Sequence, residues 1–195
     1  MLVAAFPPEL AGLDLAPPDG WAVACTGVGA ITAAVETARL LALHTPERLL
    51  FIGTCGAYDA RLSPGDLIAA SEAIATSLDE RAKRAYRPSL ELTRWPTGWT
   101  LPFPAYPIAV PPAITVTEDG ARSLAEVAPA EHLELTGVFA ACQAARVPVA
   151  AALAVANRVG PDAHAEWKAH HAAASRALIL ALRARGVFTA EEVPE

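Results

Sequence analysis

The stretch WAVACTGVGAITAAVETARLLALHTPERLLFIGTCGA, residues 21–57, decides the fold class. It begins with an apolar segment, Trp21 to Thr26, that ends in a Gly-Val-Gly turn. Helix-forming residues follow from Ala30 to His44, with apolar side chains at helical spacing, and a second apolar segment runs from Arg48 to Ile52. A strand, a glycine turn, a helix and a strand in this order predict a βαβ unit with parallel strands covered by helices. The sequence therefore predicts an α/β fold.

The same alternation of apolar strands and helices continues on both sides of this unit. Further strands are predicted at residues 2–5, 66–75, 108–117 and 149–156, with a short one reaching Glu134. Further helices are predicted over residues 119–127, 137–146 and 162–185. The proline-rich residues 77–107 lack a clear period, so we expect an excursion or a lid near a site. No break in the pattern marks a domain boundary, and residues 1–195 are expected to form a single domain.

The composition excludes several classes of protein. The chain has 195 residues, 53% hydrophobic and 18% charged, which is typical of globular rather than disordered proteins. Its longest apolar run is about half of the ~18 residues that a membrane span needs, and no basic segment of a signal peptide is seen, so we expect a soluble, cytoplasmic protein. The net charge of −6 gives no reason to expect a nucleic-acid partner. The cysteines at positions 25, 55 and 142 are odd in number and widely spaced, and buried free thiols are expected.

Three local patterns could indicate a ligand-binding site, and each is compared with its simpler interpretation. Basic residues cluster between Arg81 and Arg94, and we interpret them as a solvated surface segment rather than a phosphate or base site. His164 and His171 share one face of the last predicted helix, but no HExxH pattern accompanies them and no metal site is predicted. The Gly-Val-Gly turn lacks the third glycine of a dinucleotide fingerprint, so no nucleotide cofactor is predicted. Its backbone amides could still hold an anion, or the turn could have no ligand.

Polar residues at the ends of apolar strands are the best candidates for function. Glu9, Glu134 and Asn157 each follow a predicted strand, and α/β sheets bind their ligands at the carboxyl ends of strands. Each residue alone also fits a helix cap, a surface group or a turn. The segment GTCGA, residues 53–57, closes the central βαβ unit and strengthens the case that these residues form a functional site.

The order of these elements resembles the purine nucleoside phosphorylase and nucleosidase superfamily over nearly the whole chain. Within it the chain is most similar to the futalosine hydrolases and the methylthioadenosine/S-adenosylhomocysteine nucleosidases. The matching segments are AAFPPEL, CTGVGAITAA, LLFIGTCGAYDARLSPGDLIAASEAI, PAITVTEDGARSLA and HLELTGVFAACQAARVPVAAALAVANRVG. The resemblance implies a three-layer α/β/α sandwich around a twisted, mixed, partly barrel-like sheet. It also implies a small-molecule nucleoside partner, a homodimer or larger homo-oligomer, and no cofactor.

The resemblance assigns roles to particular residues. Glu9 falls on the glutamate that orients the attacking water, and Asn157 falls on the catalytic position that follows the last strand. Leu133 and Glu134 fall on the ribose-binding methionine and glutamate, and His132 stands where a further glutamate is usual. The remaining substrate-binding positions that the resemblance implies are Thr54, Cys55, Gly56, Val116 and Thr117.

The residue type at position 157 favours one kind of substrate. Cleavage of an N-glycosidic bond builds positive charge on the ribose and negative charge on the leaving base. Glu134 can stabilise the cationic sugar, and Glu9 can position and deprotonate water. An aspartate can protonate N7 of adenine, whereas the amide of Asn157 can only donate a hydrogen bond to N7 or O6 of a 6-oxopurine. The sequence therefore favours futalosine or another 6-oxopurine nucleoside, with hypoxanthine as the released base.

The distribution of basic residues favours water over phosphate as the second substrate. Phosphorylases of the superfamily hold phosphate with arginines near the N-terminal segment and the glycine turn, but this chain has no Lys or Arg before Arg39. The preferred hypothesis is thus a nucleosidase. Two alternatives stay open: a phosphate-dependent purine nucleoside phosphorylase, and a nucleoside-binding protein with weakened catalysis.

Overall fold

A mixed, eight-stranded sheet forms the centre of the protein. The computed structural model describes residues 1–13 and 18–189. The strands are β1 (Leu2–Ala4), β2 (Val23–Cys25), β3 (Leu49–Ala57), β4 (Leu67–Ala75), β5 (Arg94–Pro96), β6 (Ala105–Val110), β7 (Ala130–Glu131) and β8 (Val149–Arg158). The helices are α1 (Ala30–His44), α2 (Leu78–Arg81), α3 (Glu118–Ala125), α4 (Leu135–Ala145) and α5 (Ala163–Ala184), with a 3-10 helix at Pro7–Leu13. The α/β fold predicted from the sequence is confirmed.

The topology of the sheet makes it partly barrel-like. Strands β2, β1 and β3 lie side by side in parallel, and β3 continues in parallel with β8 from Leu49 opposite Val149 to Ala57 opposite Arg158. Strand β8 then pairs antiparallel with β4, β4 pairs with β6, β6 with β7, and β7 with β3. This closed ring of pairings is the partly closed, mixed sheet that the resemblance implied.

Helices cover the sheet on both faces because the buried strands are apolar on both. Helices α1 and α4 pack on each other over one face, and α5 packs with the 3-10 helix over the other. Successive side chains of β3 point to opposite faces of the sheet. Phe51 lies in the core on one face with Phe139 of α4, and Ile52 lies in the core on the other face with Leu178 of α5. Each such buried side chain contributes about 1.5–3 kcal/mol of hydrophobic stabilisation.

The contact between α1 and α4 depends on one glycine. A Cβ atom at Gly137 would lie 1.9 Å from the carbonyl oxygen of Ala30, which no packing adjustment of a side chain can relieve. The missing side chain lets the first turn of α4 touch the first turn of α1. As a result, the glycine turn before α1 and the residues before α4 meet at one place.

Several element boundaries differ from those predicted. The bounds of α1 agree with the prediction, but the segment GTCGA continues β3 instead of closing it as a turn, because β8 pairs with it up to Ala57. The strand predicted over 108–117 ends at Val110, before two prolines. The strand predicted to reach Glu134 ends at Glu131. Among the described residues, no helix is long and apolar enough to cross a membrane.

Residues 77–107 are mostly exposed, although Leu101 and Phe103 are buried in the core, and none of them lines the cavity described below. The segment contains α2, β5 and the start of β6. Its arginines make ion pairs with neighbouring carboxylates: Arg81 with Glu126, Arg84 with Asp79, Arg87 with Glu80, and Arg94 with Glu72. This agrees with the solvated surface segment predicted for the basic cluster, and the structure does not place this segment as a lid over the cavity of this chain.

Candidate active site

A cavity of about 360 Å³ opens where β1, β3 and β8 end, a size common for small-molecule sites. Seven of the predicted site residues line it: Glu9, Thr54, Cys55, Gly56, Leu133, Glu134 and Asn157. The topology explains why residues so far apart in sequence meet, because β1, β3 and β8 run parallel and end at the same edge of the sheet.

Two predicted substrate-binding residues lie elsewhere. Val116 is 63% exposed, and the hydroxyl of Thr117 accepts a hydrogen bond of 3.1 Å from the Gly120 N–H at the start of α3. Because β6 ends at Val110, residues 116 and 117 are already part of the entry into α3. Ile114 is the residue of this segment that lines the cavity.

Glu9 is held in one orientation by three hydrogen bonds. Its Oε1 accepts from the backbone N–H of Thr54 at 2.8 Å and from the Thr54 hydroxyl at 3.0 Å, and its Oε2 accepts from the Ala5 N–H at 3.2 Å. Burial raises the pKa of Glu9 from its ordinary value of 4.5 to about 7, and the charge of Glu134 acts in the same direction while the hydrogen bonds oppose it. A carboxyl with this pKa can take up and release a proton near neutral pH.

Trp167 of α5 supports this arrangement from the wall of the cavity. Its indole N–H donates to the Thr54 hydroxyl at 3.1 Å, which leaves that hydroxyl's own hydrogen for Glu9. The indole ring is stacked with the rings of His164 and His171, at centroid distances of 6.1 and 4.3 Å. In the described part of the chain no group of ligating side chains could hold a metal ion, and the two helix histidines instead pack on this tryptophan.

Glu134 precedes α4 and turns its carboxylate toward the glycine turn. Its Oε1 accepts a hydrogen bond of 2.8 Å from the Gly29 N–H, the contact that the close packing at Gly137 makes possible. Its Oε2 lies 3.1 Å from Nδ1 of His132. The amide at the start of α1 therefore holds a carboxylate of the protein itself.

Asn157 reaches the cavity because its neighbour across the sheet is a glycine. Gly56 pairs with Asn157, and a Cβ atom at Gly56 would lie 3.0 Å from Asn157 Nδ2 and 2.7 Å from Val159. The Asn157 amide donates to the Arg158 carbonyl at 2.8 Å. Since an amide NH₂ has two hydrogens, a second donor remains for a ligand.

Two functional candidates were missed by the sequence analysis. Glu131 lines the cavity, accepting from the Tyr58 hydroxyl at 2.8 Å and the Thr115 N–H at 3.3 Å, and burial raises its pKa. His132 also lines the cavity, although the resemblance marks it only as a departure from a family pattern. Both could have been found from the sequence, because they form a Glu-His pair directly before Leu133 and Glu134. The surrounding segment is otherwise apolar enough to be buried.

The charges around the cavity are negative in character. Glu9, Glu131 and Glu134 line it, and none of its lining residues within the described chain is an arginine or lysine. Arg158 is next to Asn157 in sequence, but its guanidinium donates to the Asp59 carbonyl and the Ser63 hydroxyl outside the cavity. Cys55 adds no charge, because burial raises the pKa of its thiol and keeps it protonated.

A layered α/β sheet with this cavity at its strand ends is a nucleoside phosphorylase-like fold, and the chain's sequence agrees. A family model described as the phosphorylase superfamily matches residues 20–125, more than half of the chain. The chain therefore belongs to the phosphorylase superfamily. No curated protein shows significant sequence similarity to it.

Solved structures share the fold at low sequence identity. A futalosine hydrolase mutant of Helicobacter pylori strain 26695 superposes with a TM-score of 0.81 at 16% identity, covering 94% of this chain and 96% of that chain. A methylthioadenosine/S-adenosylhomocysteine nucleosidase of Helicobacter pylori has a TM-score of 0.81 at 15% identity, covering 94% of this chain and 95% of that chain. An S-adenosylhomocysteine nucleosidase of Streptococcus pyogenes has a TM-score of 0.80 at 16% identity, covering 100% of this chain and 96% of that chain.

Proposed function

We propose that this protein is a nucleosidase, an N-ribosyl hydrolase that cleaves the N-glycosidic bond of a purine nucleoside. The proposed substrate is futalosine or another 6-oxopurine nucleoside, and the proposed product is hypoxanthine. The observation that carries the proposal is the convergence of Glu9 and Glu134 in one cavity that no arginine or lysine of the described chain lines. The nucleosidases and the futalosine hydrolase that share the fold support the same reaction class.

In this proposal the two glutamates divide the chemistry. Glu9 binds water and takes its proton as the oxygen attacks the anomeric carbon, which fits a carboxyl whose pKa burial raises to about 7. Glu134, fixed by the Gly29 amide, binds the ribose hydroxyls and stabilises the positive charge that develops on the sugar. Leu133 packs against the ribose.

The base is proposed to bind over Gly56, beside Asn157. The free N–H of the Asn157 amide would donate to N7 or O6 of an oxopurine. An adenine leaving group needs a proton at N7, which an amide cannot supply, so adenine nucleosides are expected to be poor substrates. Thr54 is assigned to holding Glu9, while Cys55 and Ile114 supply apolar surface.

The charge of the cavity supports water rather than phosphate as the nucleophile. A phosphate dianion would have to enter among carboxylates without the bidentate arginine that usually accompanies it. The Gly29 amide of the glycine turn is bonded to Glu134. Hydrolysis needs neither a phosphate-binding arginine nor a free amide at the glycine turn.

We also propose that a second copy of the chain covers the apolar face at the start of α1. Val28, Ile31 and Val35 are exposed there, and Val28 also lines the cavity, as does the exposed Ile114. The expected outcome is a dimer or larger species by light scattering, which Ile31→Glu dissociates. Leu180→Glu on α5 is the control, because that leucine is also exposed, at 63% against 83% for Ile31, and a wild-type monomer would contradict the proposal.

The test of the reaction is chromatography of products from futalosine, inosine and methylthioadenosine, each with and without phosphate. We expect hypoxanthine from futalosine without phosphate, and loss of most turnover in Glu9→Gln and Glu134→Gln. The exposed Glu47→Gln serves as the matched control for a glutamate-to-glutamine change. Phosphate-dependent release would make the protein a phosphorylase, and adenine release would overturn the argument from Asn157. Base binding without release from any substrate would leave a nucleoside-binding protein.

A further inference from the structure

Glu131 is a buried carboxyl in the wall of the cavity that the proposed hydrolysis does not use. It lies on β7 and pairs with Gly56 of β3, which in turn pairs with Asn157 of β8. Residues that pair directly across neighbouring strands turn their side chains to the same face of the sheet. Glu131 and Asn157, which both line the cavity, therefore stand on either side of the glycine over which the base is proposed to bind. Two strand spacings, about 10 Å, separate their backbones.

The hydrogen bonds of Glu131 leave it able to accept more. Its Oε2 accepts from the Tyr58 hydroxyl at 2.8 Å, and its Oε1 accepts from the Thr115 N–H at 3.3 Å. Burial and the charge of Glu131 raise the pKa of Tyr58, so this hydroxyl keeps its proton and is the donor. Burial also raises the pKa of Glu131, but the hydrogen bonds from Thr115 and Tyr58 oppose that shift and favour the carboxylate. A carboxylate has about four acceptor positions, so about two remain for a ligand.

The side chains on the two sides of Gly56 match one edge of a 6-oxopurine. Asn157 has a free amide N–H, whereas an ionised Glu131 can only accept. A 6-oxopurine presents acceptors at N7 and O6 and, next to O6, a donor at N1–H, so it satisfies both side chains. Adenine has no hydrogen at N1 and would turn a lone pair toward the carboxylate. A buried polar group that a ligand leaves unpaired discriminates strongly against that ligand.

The other two carboxylates that line the cavity in the described chain lie away from the base position. Thr54, which holds Glu9, comes two residues before Gly56 in β3, about 6.5 Å away along the strand. Glu134 is bonded to the glycine turn before α1. Among these three carboxylates, Glu131 is thus the one that pairs with Gly56.

We propose that Glu131 determines specificity for 6-oxopurines by accepting the N1–H of the base while Asn157 donates to N7 or O6. The inference rests on the proposed function for the position of the base, and it deepens that function. Selection of an oxopurine then depends on two residues rather than on Asn157 alone. Glu131 acts in binding only, and no proton is transferred to or from it.

Binding of free bases tests this role without relying on turnover. Calorimetry measures the affinities for hypoxanthine, adenine and 1-methylhypoxanthine, which lacks the N1–H. We expect the wild type to bind hypoxanthine about 10- to 100-fold more tightly than either other base, the range for a lost hydrogen bond to a charged group.

Two substitutions change the acceptor. Glu131→Gln keeps the size of the side chain but replaces one acceptor oxygen with an NH₂ donor, so the ratio of hypoxanthine to adenine affinity should fall about 10- to 100-fold. Glu131→Ala removes the acceptor and makes room for a methyl group, so the affinities for hypoxanthine and 1-methylhypoxanthine should come within about threefold of each other. The exposed Glu47→Gln is the matched control and should leave both ratios unchanged.

The outcomes keep this inference apart from the proposed function. Absence of base release from futalosine and inosine by the wild type refutes the hydrolase, while the affinity ratios still decide the role of Glu131. An equal loss of affinity for hypoxanthine and adenine in Glu131→Gln overturns that role, because a structural residue would weaken both alike. An unchanged ratio overturns it too, as does a wild type that binds 1-methylhypoxanthine as tightly as hypoxanthine or binds no hypoxanthine. Thermal unfolding identifies a variant that has lost its fold, and the wild-type comparison and the other variant then carry the test.

Discussion

The buried carboxyl of Glu9 makes the stability of the protein depend on pH in a defined way. Burial raises its pKa from 4.5 to about 7, and the unfolded chain has the ordinary value. When the pKa of a carboxyl is raised in the folded state, its protonated form stabilises the fold relative to its charged form. This contribution is fully present below the unfolded pKa and is lost as pH rises through the folded pKa. Because each pH unit between the two values is worth about 1.4 kcal/mol, Glu9 costs about 3 kcal/mol of stability above pH 7.

Glu9→Gln removes this titration and keeps a side chain of nearly the same shape. We expect the free energy of unfolding of the variant minus that of the wild type to increase by about 3 kcal/mol between pH 4.5 and pH 7.5, and then to level off. Urea unfolding at half-unit pH steps measures it. Glu47→Gln, at an exposed position, should show a flat difference over the same range. A flat difference for Glu9→Gln would refute the argument from burial, and with it the fitness of Glu9 as a base near neutral pH.

Three further substitutions test the packing around the site. Gly137→Ala forces a methyl group against the Ala30 carbonyl, and we expect a loss of about 3 kcal/mol or more in urea unfolding; an unchanged midpoint would show that α1 and α4 do not touch there. Gly56→Ala displaces the Asn157 amide and crowds Val159, so hypoxanthine affinity by calorimetry should fall about tenfold and the unfolding midpoint should fall as well; an equal affinity in the folded variant would place the base elsewhere. Trp167→Phe removes the indole N–H behind the water-binding carboxylate, so kcat should fall about three- to tenfold while KM stays within twofold; a change in KM alone would assign the ring to substrate binding.

The parts of the fold that follow from local pattern were predictable from the sequence. The helix Ala30–His44 has strong helix formers between two glycine- and proline-marked boundaries, and its bounds agree with the prediction. The segment GTCGA was predicted to close the strand that runs to Ile52, because glycine commonly ends a strand. It remains a strand because β8 supplies a hydrogen-bonding partner along its whole length. That partner lies about a hundred residues further on, so no local pattern announces it.

The residues of the candidate site likewise divide into those that a local pattern predicts and those that it does not. Glu9, Glu134 and Asn157 could be predicted because polar residues after apolar strands mark the ligand-binding edge of a sheet. Val116 and Thr117 were predicted to line the base pocket, but the end of β6 at Val110 places them at the entry of α3 instead. Whether a side chain near a strand end faces the cavity depends on such boundaries, which the sequence defines least well.

The hydrogen bond between Gly29 and Glu134 constrains any attempt to redesign the protein toward phosphorolysis. An arginine introduced beside the glycine turn would supply positive charge but not a free amide, since the amide there already holds a carboxylate. An incoming phosphate would have to displace a group of its own sign, and that group is the proposed ribose ligand. Under the proposed function, an engineered phosphorylase would therefore need a new position for the sugar as well as a new cation, and a single gain of charge would be expected to inhibit hydrolysis without creating phosphorolysis.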